Sequence, residues 1–196
     1  GDDLSQTNTI AACAKHFAGY GFAEAGRDYN TVNIGENELH NTILPPFKAA
    51  AEAGVATFMN SFNDIDGIPA TGHKVLQRDI LKVSDWGSIS EMVAHGYAED
   101  KKHAAEIAMN AGSDMDMESY AYEAHLEKLL NENKIDISQI DEAVKRILRI
   151  KFQLGLFDDP FKYCNEQREI DNVYTKEHLA ISRNIAKKSI VLLKNE

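Results

Sequence analysis

Short apolar runs that alternate with longer helical stretches leave this chain few ways to fold. "TIAACAKHFAGYG" (residues 9–21), "GVATFMNSFN" (54–63) and "SDMDM" (113–117) have the length and composition of buried strands, and each leads into a segment with helical spacing. Strands of that kind, joined by helices, pair in parallel and give an α/β fold. A fourth strand belongs before "SDWG", but "KVLQRDILK" (74–82) reads as a short helix. Only Val83 and Ser84 then remain, where a turn and a buried strand need about eight residues.

A closed (β/α)8 barrel takes about 250 residues, so 196 residues with three or four βα units read as the C-terminal half of a TIM-type barrel. That half is expected over residues 1–157. A polar linker follows over 158–175, and 176–196 open a further domain with a helix that turns strand-like at "SIVLL". Pro45 and Pro46, inside the helical pattern "LHNTILPPFKAAAEA", predict a break or kink. Ser88 and Glu91 have the S-x-x-E spacing of a capping box.

A net charge of −10 with mixed signs argues against nucleic acid and against an anionic membrane surface, and no apolar run has the length of a membrane span. The first residues lack the order of a signal peptide. Cys13 reads as a buried thiol in the first strand. Neither it and Cys164 nor the histidines have metal-ligand spacing, so neither a metal nor another cofactor is expected.

Chemistry in parallel α/β folds collects where strands end. Lys15 and His16 stand at such an end, as do Met59 with Asn60, Asp85 with Trp86, and Asp114 with Asp116. The first strand is therefore expected to be buried along its length and to open into a pocket at its tip. Each residue also has a plainer role. Lys15 could pair with a core carboxylate, His16 could be a satisfied strand-end histidine, and Asp85 could cap a helix, although the box at Ser88 leaves it free. Asp114 and Asp116 suit a structural role in the interior at least as well as a catalytic one.

The motifs "AKHFAGYG", "GRDYNT", "PPFKAAAEAGVATFMNSFNDIDGIPAT", "VSDWGSISEM", "NAGSDMDM" and "GLFDDPF" followed by "SIVLLKNE", in this order, resemble the glycoside hydrolase family 3 β-glucosidases of the bacterial periplasmic or secreted type. The resemblance implies a retaining mechanism acting on β-glucosides, with Asp85 as nucleophile, Lys15 and His16 bonding sugar hydroxyls, and Trp86 and Met59 walling the first subsite. A nearby ammonium would keep the carboxylate ionised. The loop "KHFAGYGFAEAGRDYN" lacks the pattern of relatives that act on N-acetylglucosamine.

The same comparison implies an upstream half-barrel, an α/β sandwich domain carrying the acid/base glutamate, and a "WGF.G" segment between Lys82 and Val83, none of which this sequence contains. The chain alone is therefore expected to be inactive, its open sheet edges covered by those missing parts or by an interlocked homo-oligomer. A β-xylosidase of the same family is the alternative substrate class. A barrel lyase forming a Schiff base on Lys15 is the alternative chemistry.

Overall fold

A computed structural model of the chain describes residues 3–76 and 81–195. It has an α/β fold. Two compact units cover residues 1–157 and 158–196.

In the first unit, β1 (Cys13–Phe17), β2 (Thr57–Asn60) and β5 (Leu81–Val83) form a parallel sheet in the order β1-β2-β5, and β3 (Asp64–Ile65) with β4 (Ile68–Pro69) make a small antiparallel hairpin. The helices are α1 (Glu36–Glu38), α2 (Leu44–Glu52), α3 (Ser88–Ala94), α4 (Lys101–Ala111), α5 (Ala121–Asn131) and α6 (Ile137–Gln153). The second unit holds α7 (Glu166–Asn172) and α8 (Lys176–Ser189).

The strand expected to be missing before "SDWG" is present as β5, with Thr57, Phe58 and Met59 opposite Leu81, Lys82 and Val83. Of the helix expected over 74–82, residues 77–80 lie outside those described; 74–76 form a turn and the last two positions are strand. Lys82 accounts for the misreading, since a lysine looks like a helix end. It is buried, its Nζ 4.7 Å from the ring centre of Phe17 and 4.1 Å from that of Phe58, so the aromatic faces stabilise its charge inside the sheet. Of the strand expected at "SDMDM", only a parallel bridge between Val83 and Met115 forms.

The prolines do not break the helical run. Between α1 and α2, residues Leu39–Ile43 form a π-helical turn, and the Leu44 N–H donates to the Leu39 carbonyl. Pro45 and Pro46 lack N–H donors, and they fall in the first turn of α2, where none is needed.

The Ser88/Glu91 capping box does not form. Gly87, at φ +72°, is the N-cap of α3, and Ser88 lies inside the helix with its Oγ 3.0 Å from Thr71 Oγ1. A capping box is made instead by Asp136 and Gln139 at the start of α6.

Two apolar clusters anchor the first unit. Ile89, Met92, Ala104, Ala108 and Leu129 pack α3, α4 and α5 together. Phe17, Val32, Ile43, Phe58 and Ile65 close the space between the sheet, the hairpin and the helical run that leads into α2.

β1 is not buried along its length. Cys13 and Lys15 are exposed and only Phe17 is fully covered, because β1 is the outer strand of the described sheet. Cys13 is thus an exposed free thiol rather than a core residue. In the second unit, the stretch read as a linker contains α7, and Ile190–Leu193 form no strand and are exposed, since nothing among the described residues pairs with them.

Asp114 fastens the sheet to the last long helix of the first unit. The Lys82 N–H donates to Asp114 Oδ2 at 3.0 Å, while the N–H groups of Asp114 and Met115 donate to the Lys82 carbonyl. From α6, Arg146 places Nε 3.1 Å from both carboxylate oxygens and Nη2 3.0 Å from Oδ1. Burial pushes the Asp114 carboxyl above its usual range, and the guanidinium and the Lys82 N–H pull against it. Removing one partner of such a pair strands a buried charge. Arg146→Ala is therefore expected to cost about 3–5 kcal/mol in urea unfolding of the protein, with Arg146→Lys recovering only part of the loss because an ammonium cannot make the forked contact.

Candidate active site at the strand ends

β1, β2 and β5 end together, so side chains far apart in sequence meet. His16 leaves β1 with its Nε2 3.2 Å from Asp85 Oδ2, just past the end of β5. Asp85 is buried, and its Oδ1 accepts the Trp86 N–H at 2.7 Å. Oδ2 lies near the imidazole but accepts no hydrogen bond of good geometry among the described residues. That oxygen is itself buried, with the imidazole as its near neighbour.

Lys15 is exposed, with its Nζ 4.0 Å from Met59 Sδ on β2. It has none of the desolvating surround that a Schiff-base lysine uses. Trp86 is 63% exposed, which leaves its face open to a ligand. A depression of about 500 Å³ reaches from Lys15 and His16 along Tyr20 to Pro46 and Phe47, on the β1 side. Asp85 does not line it.

The backbone around Asp85 is strapped by the segment after α4. The Ser84 N–H donates to the Met115 carbonyl at 2.9 Å, the Met117 N–H to Ser84 Oγ at 2.8 Å, and the Gly87 N–H to the Met117 carbonyl at 2.8 Å. Asp116 does not enter the site. Its carboxylate accepts the N–H groups of Ser119, Ala121 and Tyr122 and so fixes the start of α5. Asp114 is taken up by Lys82 and Arg146, so both aspartates of "SDMDM" are structural.

The loop after β1 supplies groups that the sequence did not single out. Tyr20 stands edge-on to the His16 ring at 5.1 Å, and its hydroxyl donates to the Asp28 carboxylate. Tyr29 packs on Phe62 with ring centres 4.7 Å apart. "GRDYNT" was visible as a motif, but nothing in its spacing says that it folds back onto the strand ends.

In α3, Glu91 Oε2 is buried without a hydrogen-bond partner among the described residues. Burial pushes the Glu91 carboxyl up; His95 opposes this, and the charges of Asp85 and Asp28 add to it. No group of three or more His, Cys, Asp or Glu among the described residues is placed to hold a metal ion.

Residues 3–150 match the model of the glycosyl hydrolase family 3 N-terminal domain, and the chain belongs to that family. It is 36% identical over 199 residues to a periplasmic β-glucosidase of Salmonella typhimurium, covering 95% of this chain and 26% of the relative. It is 34% identical over 215 residues to a β-xylosidase of Formosa agariphila, covering 100% of this chain and 29% of the relative. A mutant β-glucosidase from Listeria innocua, solved in complex with laminaribiose, superposes with a TM-score of 0.89 at 40% identity, covering 100% of this chain and 28% of that one. The chain spans about a quarter of the length of these curated relatives.

Two outcomes follow for the site. Ser84→Ala leaves the half-buried Met117 N–H without its acceptor and is expected to cost about 0.5–1.5 kcal/mol in urea unfolding. Because the folded-state pKa of Glu91 is raised above 4.5, its contribution to stability is full below that value and is lost as pH rises through the folded pKa. Glu91→Gln is expected to remove that slope from a plot of unfolding free energy against pH.

Proposed function

We propose that this chain is part of a retaining glycoside hydrolase that removes terminal non-reducing β-D-glucosyl residues. Asp85 is its nucleophile. Its carboxylate attacks the anomeric carbon and forms a covalent glycosyl ester as the glycosidic C–O bond breaks, and water later releases the sugar. Lys15 and His16 hydrogen-bond the sugar hydroxyls, and Trp86 and Met59 wall the subsite.

The observation that carries this reading is the meeting of His16 Nε2 with Asp85 Oδ2 at 3.2 Å from separate strands. It puts a donor for hydroxyls beside a buried carboxylate, one oxygen of which lacks a hydrogen bond of good geometry among the described residues. Family membership supplies the chemistry that such a pair serves.

The parallel order β1-β2-β5, extended by the bridge from Val83 to Met115, supports the C-terminal half of a TIM-type barrel. In this reading the other half and the glutamate that protonates the leaving oxygen lie in parts of the protein outside this chain, the glutamate in an α/β sandwich domain. A periplasmic or secreted location rests on the Salmonella relative's name. No helix among the described residues is long and apolar enough to cross a membrane. A β-xylosidase is the second reading, favoured by a relative of that name whose match covers the whole chain.

The full-length protein, treated with a 2-deoxy-2-fluoro-β-glucoside, is expected to carry the sugar on Asp85 in peptide mass spectra, and Asp85→Asn is expected to lower kcat about a thousandfold or more. A label on another carboxylate refutes the assignment. Faster labelling by the fluoro-xyloside selects the xylosidase. The 196-residue chain by itself is expected to release no nitrophenol from an aryl β-glucoside, and measurable release would overturn the need for a second carboxylate from elsewhere.

A further inference from the structure

We propose that Tyr20 is a positioning residue that holds the His16 imidazole against Asp85, and that Asp28 anchors Tyr20 from the same loop. The proposal rests on the reading of Asp85 and His16 given above and adds what keeps them in place.

The imidazole has two close neighbours: Asp85 Oδ2 at 3.2 Å and the Tyr20 ring, edge-on at 5.1 Å and 75°. An edge-to-face contact fixes a ring's tilt but does not by itself fix the ring that supplies it. Tyr20 is secured at its far end, where the hydroxyl donates to the Asp28 carboxylate. Asp28 is in turn oriented by the Tyr29 N–H, which donates to its Oδ1 at 3.0 Å.

Two backbone features aim these side chains. Gly19, at φ +80°, turns the chain sharply between Ala18 and Tyr20, and Tyr29 adopts φ +64°, a conformation unfavourable for a side chain of its type. The loop that carries them is stitched to the β3–β4 hairpin. Thr31 Oγ1 donates to Asp64 Oδ2 at 2.9 Å, and the Val32 N–H donates to the Asp64 carbonyl at 3.0 Å. Phe62 backs both tyrosines, with ring centres 6.4 Å from Tyr20 and 4.7 Å from Tyr29. A run of rings therefore leads from the imidazole out to the loop tip. Burial, and after it the bond to Asp28, push the Tyr20 hydroxyl well above the usual phenol range, which keeps it a donor.

The test is a double-mutant cycle in the full-length enzyme on a nitrophenyl β-glucoside. Tyr20→Phe keeps the ring and removes the tether. It is expected to raise KM about tenfold with kcat changed less than about threefold, and to change kcat/KM less than about twofold once His16→Ala is present. Asp28→Asn, which keeps shape and weakens the acceptor, is expected to follow the same pattern and decides the question should Tyr20→Phe fail to fold. An equal loss with and without His16, an unchanged KM, or a loss confined to kcat overturns the positioning role. Fluoro-glucoside labelling separates the two ideas. A label on Asp85 with additive mutants refutes only the Tyr20 assignment, whereas a label elsewhere refutes the parent reading and this one together.

Discussion

The ion pair between Asp114 and Arg146 governs where the candidate nucleophile stands. Asp114 is bound through its carboxylate to the Lys82 N–H and through its own N–H to the Lys82 carbonyl, so β5 cannot shift without moving it. Arg146 grips the same carboxylate from α6. A buried charge-assisted fork is directional as well as strong. It therefore sets both the position of β5 and the point where the chain leaves the sheet toward Asp85.

From that fixed strand, the order of the site follows step by step. Ser84 is pinned to Met115 and Met117, Gly87 to Met117, and Asp85 is left between them with one oxygen bonded to its neighbour's N–H and the other turned to His16. The scaffold thus meets the backbone's hydrogen-bonding needs with its own polar groups, while one carboxylate oxygen of Asp85 lacks a hydrogen bond of good geometry among the described residues. Parallel sheets gather polar side chains at strand ends because the ladder stops there and the loops diverge.

Much of this was legible in the sequence, and the reasons differ by residue. Lys15 and His16 stood out because they are polar groups that end an apolar run, whereas Met59 and Asp85 were marked by their place at expected strand ends and by the family resemblance. β5 was hidden because Lys82 looked like the end of a helix, whereas the rings of Phe17 and Phe58, remote in sequence, lie against its ammonium inside the sheet. The S-x-x-E spacing at Ser88 misled since Gly87 already turns the chain, while the true box at Asp136 and Gln139 follows the same logic with other residue types. Cys13 was expected inside because its neighbours are apolar, but alternation along an outer strand exposes it. Arg146, Tyr20 and Asp28 carry no local signal, because each matters only through a partner brought near by folding.

The lysine between two phenylalanines has a wider consequence. Phe17, Phe58 and Lys82 come from the three neighbouring strands of one sheet, and a cation lies against both rings. Exchanging either ring for an aliphatic group of equal bulk preserves volume yet withdraws the electron-rich face that accommodates the ammonium. A change at any one of the three positions therefore alters the surroundings of the other two.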